Sequence, residues 1–120
     1  MPVLEAVLTL KVDGVPIGIS PIIRRVTVDE TQQFATEQAT ASGFVTLPIT
    51  QLDQVDVLLL TPDQQVTIRL AGQTNGGIVL NGGGFLFICD AAIAATASTN
   101  ATVDNESGTT TVLTGLAAGT

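Results

Sequence analysis

The sequence predicts an all-β fold, a single-domain antiparallel sandwich or jelly-roll-like barrel of about eight to ten short strands. Three observations lead to this prediction. Short runs rich in Val, Ile and Thr recur along the 120 residues, and these residue types favour strands. Several runs alternate apolar and polar side chains. Gly, Asn, Asp and Pro separate the runs and mark turns. No repeat of fixed period and no linker divides the chain, so residues 1–120 are expected to form one domain.

The N-terminal residues predict a strand followed by a hairpin. Residues 3–12 alternate with period two and read as one half-buried strand. Asp13-Gly14 is a favoured pair for a two-residue hairpin turn. Residues 15–19 would return as a short strand with Pro16 at an edge, because proline cannot donate to a ladder. The apolar face of the first strand would contain Leu4, Ala6, Leu8, Leu10 and Val12.

The segment after the strand at 22–30 is less clear. Residues 29–42 are polar, rich in Gln and free of Gly and Pro. They are compatible with a short helix capped by Asp29 or Thr31, or with a loop or strand extension. We favour a loop or strand extension.

Three further strands are predicted in the middle of the chain. Residues 43–49 are strand-like, and residues 55–60 read as a strand that becomes fully buried. A turn is expected at 61–63, where proline occupies a favoured position. Residues 65–70 then alternate, with Val66, Ile68 and Leu70 inside and Gln65, Thr67 and Arg69 outside.

The C-terminal half contains glycine turns at 75–77 and 81–84 around a short strand at 78–80. The most apolar window, residues 85–89, predicts a central core strand. Residues 91–101 are ambiguous between a helix and a loose strand. A turn at 104–108 would close the chain as a hairpin over 102–113. The terminal segments 1–6 and 115–120 are candidate arms.

Composition indicates a surface made for protein contact. Apolar residues make up 45% of the chain and charged residues only 12%, about half the usual charged share. Short uncharged side chains must cover much of the surface, and they cost less to desolvate than charges. We therefore expect a homo-oligomer or larger assembly rather than a monomer with a Thr-rich face.

The same composition argues against several functions. The net charge of −7, without Tyr or Trp, is unsuited to nucleic-acid binding. No apolar run approaches the ~20 residues of a membrane span. The N-terminus lacks the basic region of a signal peptide. Neither a nucleic acid nor a membrane is therefore an expected partner.

Catalytic chemistry is also poorly supported. The chain has no histidine, which removes the commonest general base and most zinc sites. Cys89 lies in an apolar run and reads as a small buried hydrophobe. The carboxylates Asp53 and Asp56, or Asp104 and Glu106 with Asn105, match no EF-hand and read as solvated turns. We expect no enzyme activity, no cofactor and no metal.

The candidate binding residues are three of the four cations. Arg24, Arg25 and Arg69 are interpreted as subunit-interface residues that pair with acids of their own or a neighbouring subunit; the simpler alternative is an exposed strand face.

The pattern from residue 58 onward resembles small virion proteins of tailed bacteriophages, of the capsid decoration (cement) or tail-component type. The resemblance covers about half of the chain and rests on turn-and-strand patterns. The segments that carry it are 60–70 (LTPDQQVTIRL), 78–84 (IVLNGGG), 100–103 (NATV), 108–110 (GTT) and 115–120 (GLAAGT).

This resemblance implies a non-enzymatic protein that stabilises the shell by binding between capsomers, as a homotrimer with the major capsid protein or another virion protein as partner. It implies a location in the virion after synthesis in the host cytoplasm. The alternatives are a phage tail, connector or receptor-binding module, or a cellular enzyme or ligand-binding domain. The resemblance transfers no functional residues.

Overall fold

The computed structural model describes residues 2–40, 43–49, 52–70, 73, 75–94, 101–105 and 107–120. Within those residues the chain forms strands and turns and no helix. The strands are β1 (Val3–Leu8), β2 (Lys11–Val12), β3 (Val15–Pro16), β4 (Ile22–Thr27), β5 (Glu30–Gln38), β6 (Val45–Thr46), β7 (Gln54–Pro62), β8 (Val66–Leu70), β9 (Ile78–Leu80), β10 (Leu86–Ala94), β11 (Ala101–Asn105) and β12 (Thr111–Gly119).

Two four-stranded antiparallel sheets form a β sandwich. The main sheet has the strand order β10-β7-β12-β5, and the second sheet has the order β6-β11-β8-β9. Neither sheet closes on itself, so the sandwich prediction is confirmed and the barrel alternative is not. Two smaller antiparallel pairs, β1 with β4 and β2 with β3, lie outside these sheets.

The core lies between the two sheets, where apolar side chains from both are removed from water. Val66 and Ile68 are buried there, as predicted, but the prediction that Thr67 points outward to solvent is wrong. Thr67 is covered because Gly77 lies so close that a Cβ atom on it would be 2.8 Å from the Thr67 methyl group. The largest fully buried apolar residues are Ile49, Leu58, Leu60, Ile68, Leu113, Val28, Val55, Val57, Val66 and Val103.

The centre of the main sheet is occupied by β7 and β12, not by residues 85–89. Residues 86–89 begin β10 at the sheet edge, and Phe85, which precedes the strand, is 58% exposed. β12 has small residues where neighbours cover it on both faces: the Phe34 ring lies over Gly115, and Val26 and Val28 pack against Ala118. Residues 115–119 of the candidate arm 115–120 lie within the sheet as part of β12.

The predicted hairpin over 102–113 is wrong. β11 pairs with β8 and β6, whereas β12 pairs with β5 and β7. The chain therefore passes from the second sheet at Asn105 to the main sheet at Thr111. The crossing is held by the fully buried Asn105 side chain, which donates from Nδ2 to the carbonyl oxygens of Gln38 at 2.9 Å and Thr109 at 2.8 Å.

The predicted strand at 3–12 is two elements. β1 ends at Leu8, and Lys11–Val12 belongs to the short β2–β3 hairpin, so Leu10 and Val12 are exposed instead of facing the core. The hairpin turn itself is confirmed, with positive φ at Asp13 (50°) and Gly14 (79°). Residues 3–6 of the other candidate arm lie in β1.

The structure contains strands in both segments whose conformation the sequence leaves open, residues 29–42 and 91–101. The polar segment 29–42 contains the nine-residue strand β5, so its strand-extension interpretation is confirmed for 30–38. The strand predicted over 43–49 is limited to Val45–Thr46, although Leu47 and Ile49 are buried. In the ambiguous segment 91–101, residues 91–94 continue β10 and Ala101 begins β11, while 95–100 lie outside the described residues.

The turn predicted at 61–63 begins later in the structure, because β7 extends to Pro62. There the Asp63 carboxylate accepts hydrogen bonds from Thr111 Oγ1 at 2.7 Å and from the Val112 backbone N–H at 2.8 Å. The turn between β7 and β8 is thereby tied to the start of β12. The Thr111 hydroxyl and the Val112 amide hold the pKa of Asp63 below its usual value of 3.8.

This lowered pKa gives an acid-stability prediction. A carboxylate with a folded pKa below its unfolded pKa stabilises the fold above the unfolded value, and loses that contribution as the pH falls through the folded value. Asp63→Asn should therefore be destabilised near neutral pH and lose less of its remaining stability than wild type when acidified below about pH 4. Thr111→Val removes one of the hydrogen-bond donors to Asp63. Its melting temperature should therefore also fall less than that of wild type on acidification. Parallel melting-temperature profiles from pH 6 to pH 2 would contradict this role.

Candidate interaction surfaces

The three predicted interface arginines do not form one site. Arg24 and Arg25 lie in β4, and Arg69 lies in β8 of the second sheet. Arg25 Nε contacts Glu5 Oε2 at 2.9 Å, and these residues face each other across the β1–β4 ladder. Both side chains are largely exposed, so this pair is of the kind that stabilises little.

Arg69 is engaged within its own chain. Its Nε donates to the Gly76 carbonyl oxygen at 2.7 Å, and its guanidinium carbon lies 3.7 Å from the centre of the Phe44 ring. A cation over an aromatic face is attracted by the ring quadrupole. Arg69 therefore joins the turn before β9 to the segment before β6, while its place in a subunit interface stays a prediction.

A larger candidate surface is the ribbon, which we define as residues 3–27: the β1–β4 pair and the β2–β3 hairpin at its far end. Its base packs on the outer surface of the main sheet. Val26 and Leu4, which face each other across the ladder, pack with Val28 against Val57 and Ala118 of that sheet. The Val28 N–H donates to the Pro2 carbonyl oxygen at 3.0 Å and closes the base.

The far end of the ribbon is apolar and exposed. Eight of the thirteen large exposed hydrophobic side chains among the described residues lie in the ribbon. The Cα radius of gyration is 15.0 Å, whereas a compact chain of this length has about 13.6 Å, as expected for a body with a projecting element. The apolar tip comprises five residues that are 44–79% exposed: Leu10, Val12, Val15, Ile17 and Ile19.

A second candidate surface is the uncovered part of the outer surface of the main sheet. Leu59 and Leu116 are register partners there and alternate along their strands with the core residues Leu58, Leu60 and Ala117. A shallow depression of about 630 Å³ runs across this surface and has no charged residue in its lining. We call this surface the open face and define it by Gln33, Ala35, Leu59, Thr61, Phe85, Val112, Thr114 and Leu116.

The open face continues beneath the ribbon as a narrower apolar groove of about 320 Å³. Leu4 and Leu8 of β1 form one wall, and Leu59, Phe87 and Leu116 of the main sheet form the other. The ribbon base fills only one end of this surface, so apolar area remains uncovered on both elements.

Charge is divided unevenly between the ribbon and the rest of the chain. The ribbon holds three of the four cations and two of the eleven acids, for a net charge of +1. The remainder has nine acids and Arg69, for a net charge of −8. Lys11 and Arg24 make no ion pair with any described residue. The ribbon is therefore apolar and weakly basic, and it projects from an acidic body.

The described residues contain no group of three or more His, Cys, Asp or Glu side chains arranged to hold a metal ion. Cys89, interpreted from the sequence as buried, is half-buried and packs in the cluster at the ribbon base. Asp56 accepts a hydrogen bond from the Gln54 side chain at 2.8 Å. Nor does any helix of sufficient length and apolarity to cross a bilayer occur in this part of the chain.

The interface residues that the sequence predicts are arginines, and the apolar tip is not among them. Leu10 and Val12 continue the alternation of residues 3–8, and this alternation predicts a core-facing strand. A usable signal was present in residues 10–19, where five aliphatic residues are interrupted by Asp13-Gly14, Pro16 and Gly18. These turn-forming residues leave only the two-residue strands Lys11–Val12 and Val15–Pro16, which are shorter than the alternation that indicates a half-buried strand.

Comparison with known proteins identifies no relative of this chain: no protein-family model, no curated protein and no solved structure matches it.

Proposed function

We propose that this chain is a non-enzymatic structural protein of a tailed-bacteriophage virion, and that it serves as a capsid decoration protein that stabilises the shell by binding between capsomers. The observation that carries the proposal is the concentration of exposed aliphatic side chains on the ribbon, together with an open face whose depression has no charged residue in its lining. Contiguous apolar surface of this kind marks protein contact sites, and depletion of charge is typical of interface cores.

The continuous strand pairing of the β sandwich supports the same proposal. In its main sheet, β12 is hydrogen-bonded along its length to β5 and β7. Such a sheet offers its flat face and a projecting ribbon to neighbours without unfolding. A shell component needs surfaces of this type more than it needs a deep concave site.

Shell binding is tested directly with particles. Purified protein should bind expanded capsids that lack it, at a copy number comparable to that of the major capsid protein, and should raise the temperature at which those capsids disrupt. Unexpanded capsids are the control, since a decoration protein should distinguish the two lattices. Expanded capsids whose disruption temperature is unchanged at saturating protein would contradict the proposal.

Copy number separates this proposal from the alternative of a tail, connector or receptor-binding part. Quantitative mass spectrometry of intact particles should find the chain in stoichiometric proportion to the shell. A few copies per particle would instead indicate a tail or connector component.

A further inference from the structure

We propose that the ribbon of one copy of this chain docks, through its apolar tip, on the open face of a second copy. The proposal goes beyond shell binding, because it concerns how copies of the chain join each other whatever the assembly then binds.

The first step is the exposure of the tip. Ile19 is 79% exposed, Val15 63% and Val12 55%, although the hairpin that carries them is well formed. The Ile17 N–H donates to the Leu10 carbonyl oxygen at 3.0 Å, and the Leu10 N–H donates to Ser20 Oγ at 2.9 Å. The backbone of the tip is thus ordered while its aliphatic side chains face water, as in a preformed docking element.

The second step is the fit between ribbon and sheet. The ribbon base already shows how a β ribbon packs on this sheet: Leu4 and Val26 lie in one cluster with Val57 and Ala118. The open face presents similar aliphatic chemistry beside it, in Leu59 and Leu116. A tip laid on the open face would extend the same layer-on-layer packing, with layers about 10 Å apart.

The third step is charge, which selects a second copy as the occupant. The ribbon carries a net charge of +1, and the rest of the chain carries −8. Lys11 and Arg24 of the ribbon make no ion pair with the described residues. Glu37 is the register partner of Val112 at one border of the open face, and Asp63 lies near the same residue. Attraction between unlike surfaces orients such a contact.

The contact joins two different surfaces, which restricts the assembly. With one ribbon and one face per copy, it closes when it is reciprocated within a pair or repeated around a ring, and otherwise continues into an open filament. The closed architectures bury the tip and the face of every copy, and a discrete assembly is therefore the expected form.

Solution mass tests the proposal. The wild-type chain should form a species whose mass is a small multiple of 12.3 kDa in sedimentation velocity. Two variants should each weaken self-association on the order of a hundredfold: Val12→Thr/Val15→Thr/Ile19→Thr in the tip, and Leu59→Thr/Leu116→Thr in the face. All of these changes introduce a β-branched residue, and circular dichroism verifies that the variants are folded.

A matched control is available on the second sheet. Ile78 and Val79 of the edge strand β9 are 42% and 59% exposed, comparable to the tip residues. Ile78→Thr/Val79→Thr removes similar exposed aliphatic surface and should leave the mass of the assembly unchanged. Dissociation of this control to the same extent would show that general surface hydrophobicity drives association, and would overturn the proposal.

Mixing the two variants gives the decisive measurement. The tip variant keeps an intact face, and the face variant keeps an intact tip, so one productive contact forms between them. The mixture should yield a one-to-one complex that neither variant forms alone. A wild-type chain that stays monomeric at every concentration would overturn the proposal. If that monomer still bound capsids through its tip, the occupant would be the shell protein, and the proposed function would survive.

Discussion

Replacing Asn105 with aspartate should lower the free energy of unfolding by about 3 kcal/mol or more at neutral pH. The Asn105 side chain is fully buried and uses all of its hydrogen-bonding capacity. Its Nδ2 donates to two carbonyl oxygens, while its Oδ1 accepts from the backbone N–H and the hydroxyl of Ser107. A carboxylate in its place would face those two carbonyls without a proton to offer them.

The size of this effect follows from where Asn105 lies. It connects the end of β11 in the second sheet with Gln38 of β5 in the main sheet, and Gln38 in turn donates from Nε2 to the Val103 carbonyl oxygen. These bonds cross between the two layers of the sandwich. Without these bonds the buried polar groups at this end would lack partners, which costs free energy of folding. The two sheets would then separate more easily here.

Chemical denaturation measures the effect, with Asp104→Asn as the matched control. That control exchanges acid for amide at the adjacent, half-buried position and should change stability by less than about 1 kcal/mol. Burial would raise the pKa of the introduced carboxyl above its unfolded value of about 4. The deficit of Asn105→Asp should therefore shrink as the pH falls from 7 toward about 4, since the protonated carboxyl regains one donor. Equal stability of Asn105→Asp and wild type at pH 7 would show that the junction does not hold the sheets together.

The second large effect is expected at Gly119, where alanine should destabilise the fold by about 3 kcal/mol, at the upper end for overpacking. A methyl group there would overlap the Gln54 carbonyl oxygen, and it would lie 3.2 Å from the Asp56 backbone nitrogen. These are backbone atoms of β7, so no side chain can rotate away. The register between β12 and β7 shifts at this point, between Ala118 and Gly119.

Thermal and denaturant unfolding test this expectation, with Thr120→Ala as the control. Thr120 is exposed, and its backbone makes the bonds to Asp53 and Gln54 that hold the end of the chain. Those bonds survive a side-chain truncation, so the control should remain close to wild type. If Gly119→Ala were as stable as Thr120→Ala, the close approach of β12 to β7 would not be required by the fold.

Local residue patterns are sufficient to predict the class of this fold and several of its elements. Alternation placed Val66 and Ile68 in the core, and Asp13-Gly14 specified a hairpin turn, because side-chain period and positive φ are local properties. The scarcity of charge indicated a surface suited to contact, since composition is independent of strand order. These features need no knowledge of which strands are neighbours.

Strand order was decided only by the tertiary structure. The apolar window at 85–89 was predicted to be central, yet β12 occupies an inner position, where Gly115 and Ala118 accommodate Phe34 on one face and the ribbon base on the other. Asn105 reads as a turn residue in the sequence, and its role appears only once β11 and β5 meet. The exposure of the tip and of the open face likewise depends on which strands pair. Their aliphatic side chains lie outside the core because of long-range strand pairing, which no local pattern encodes.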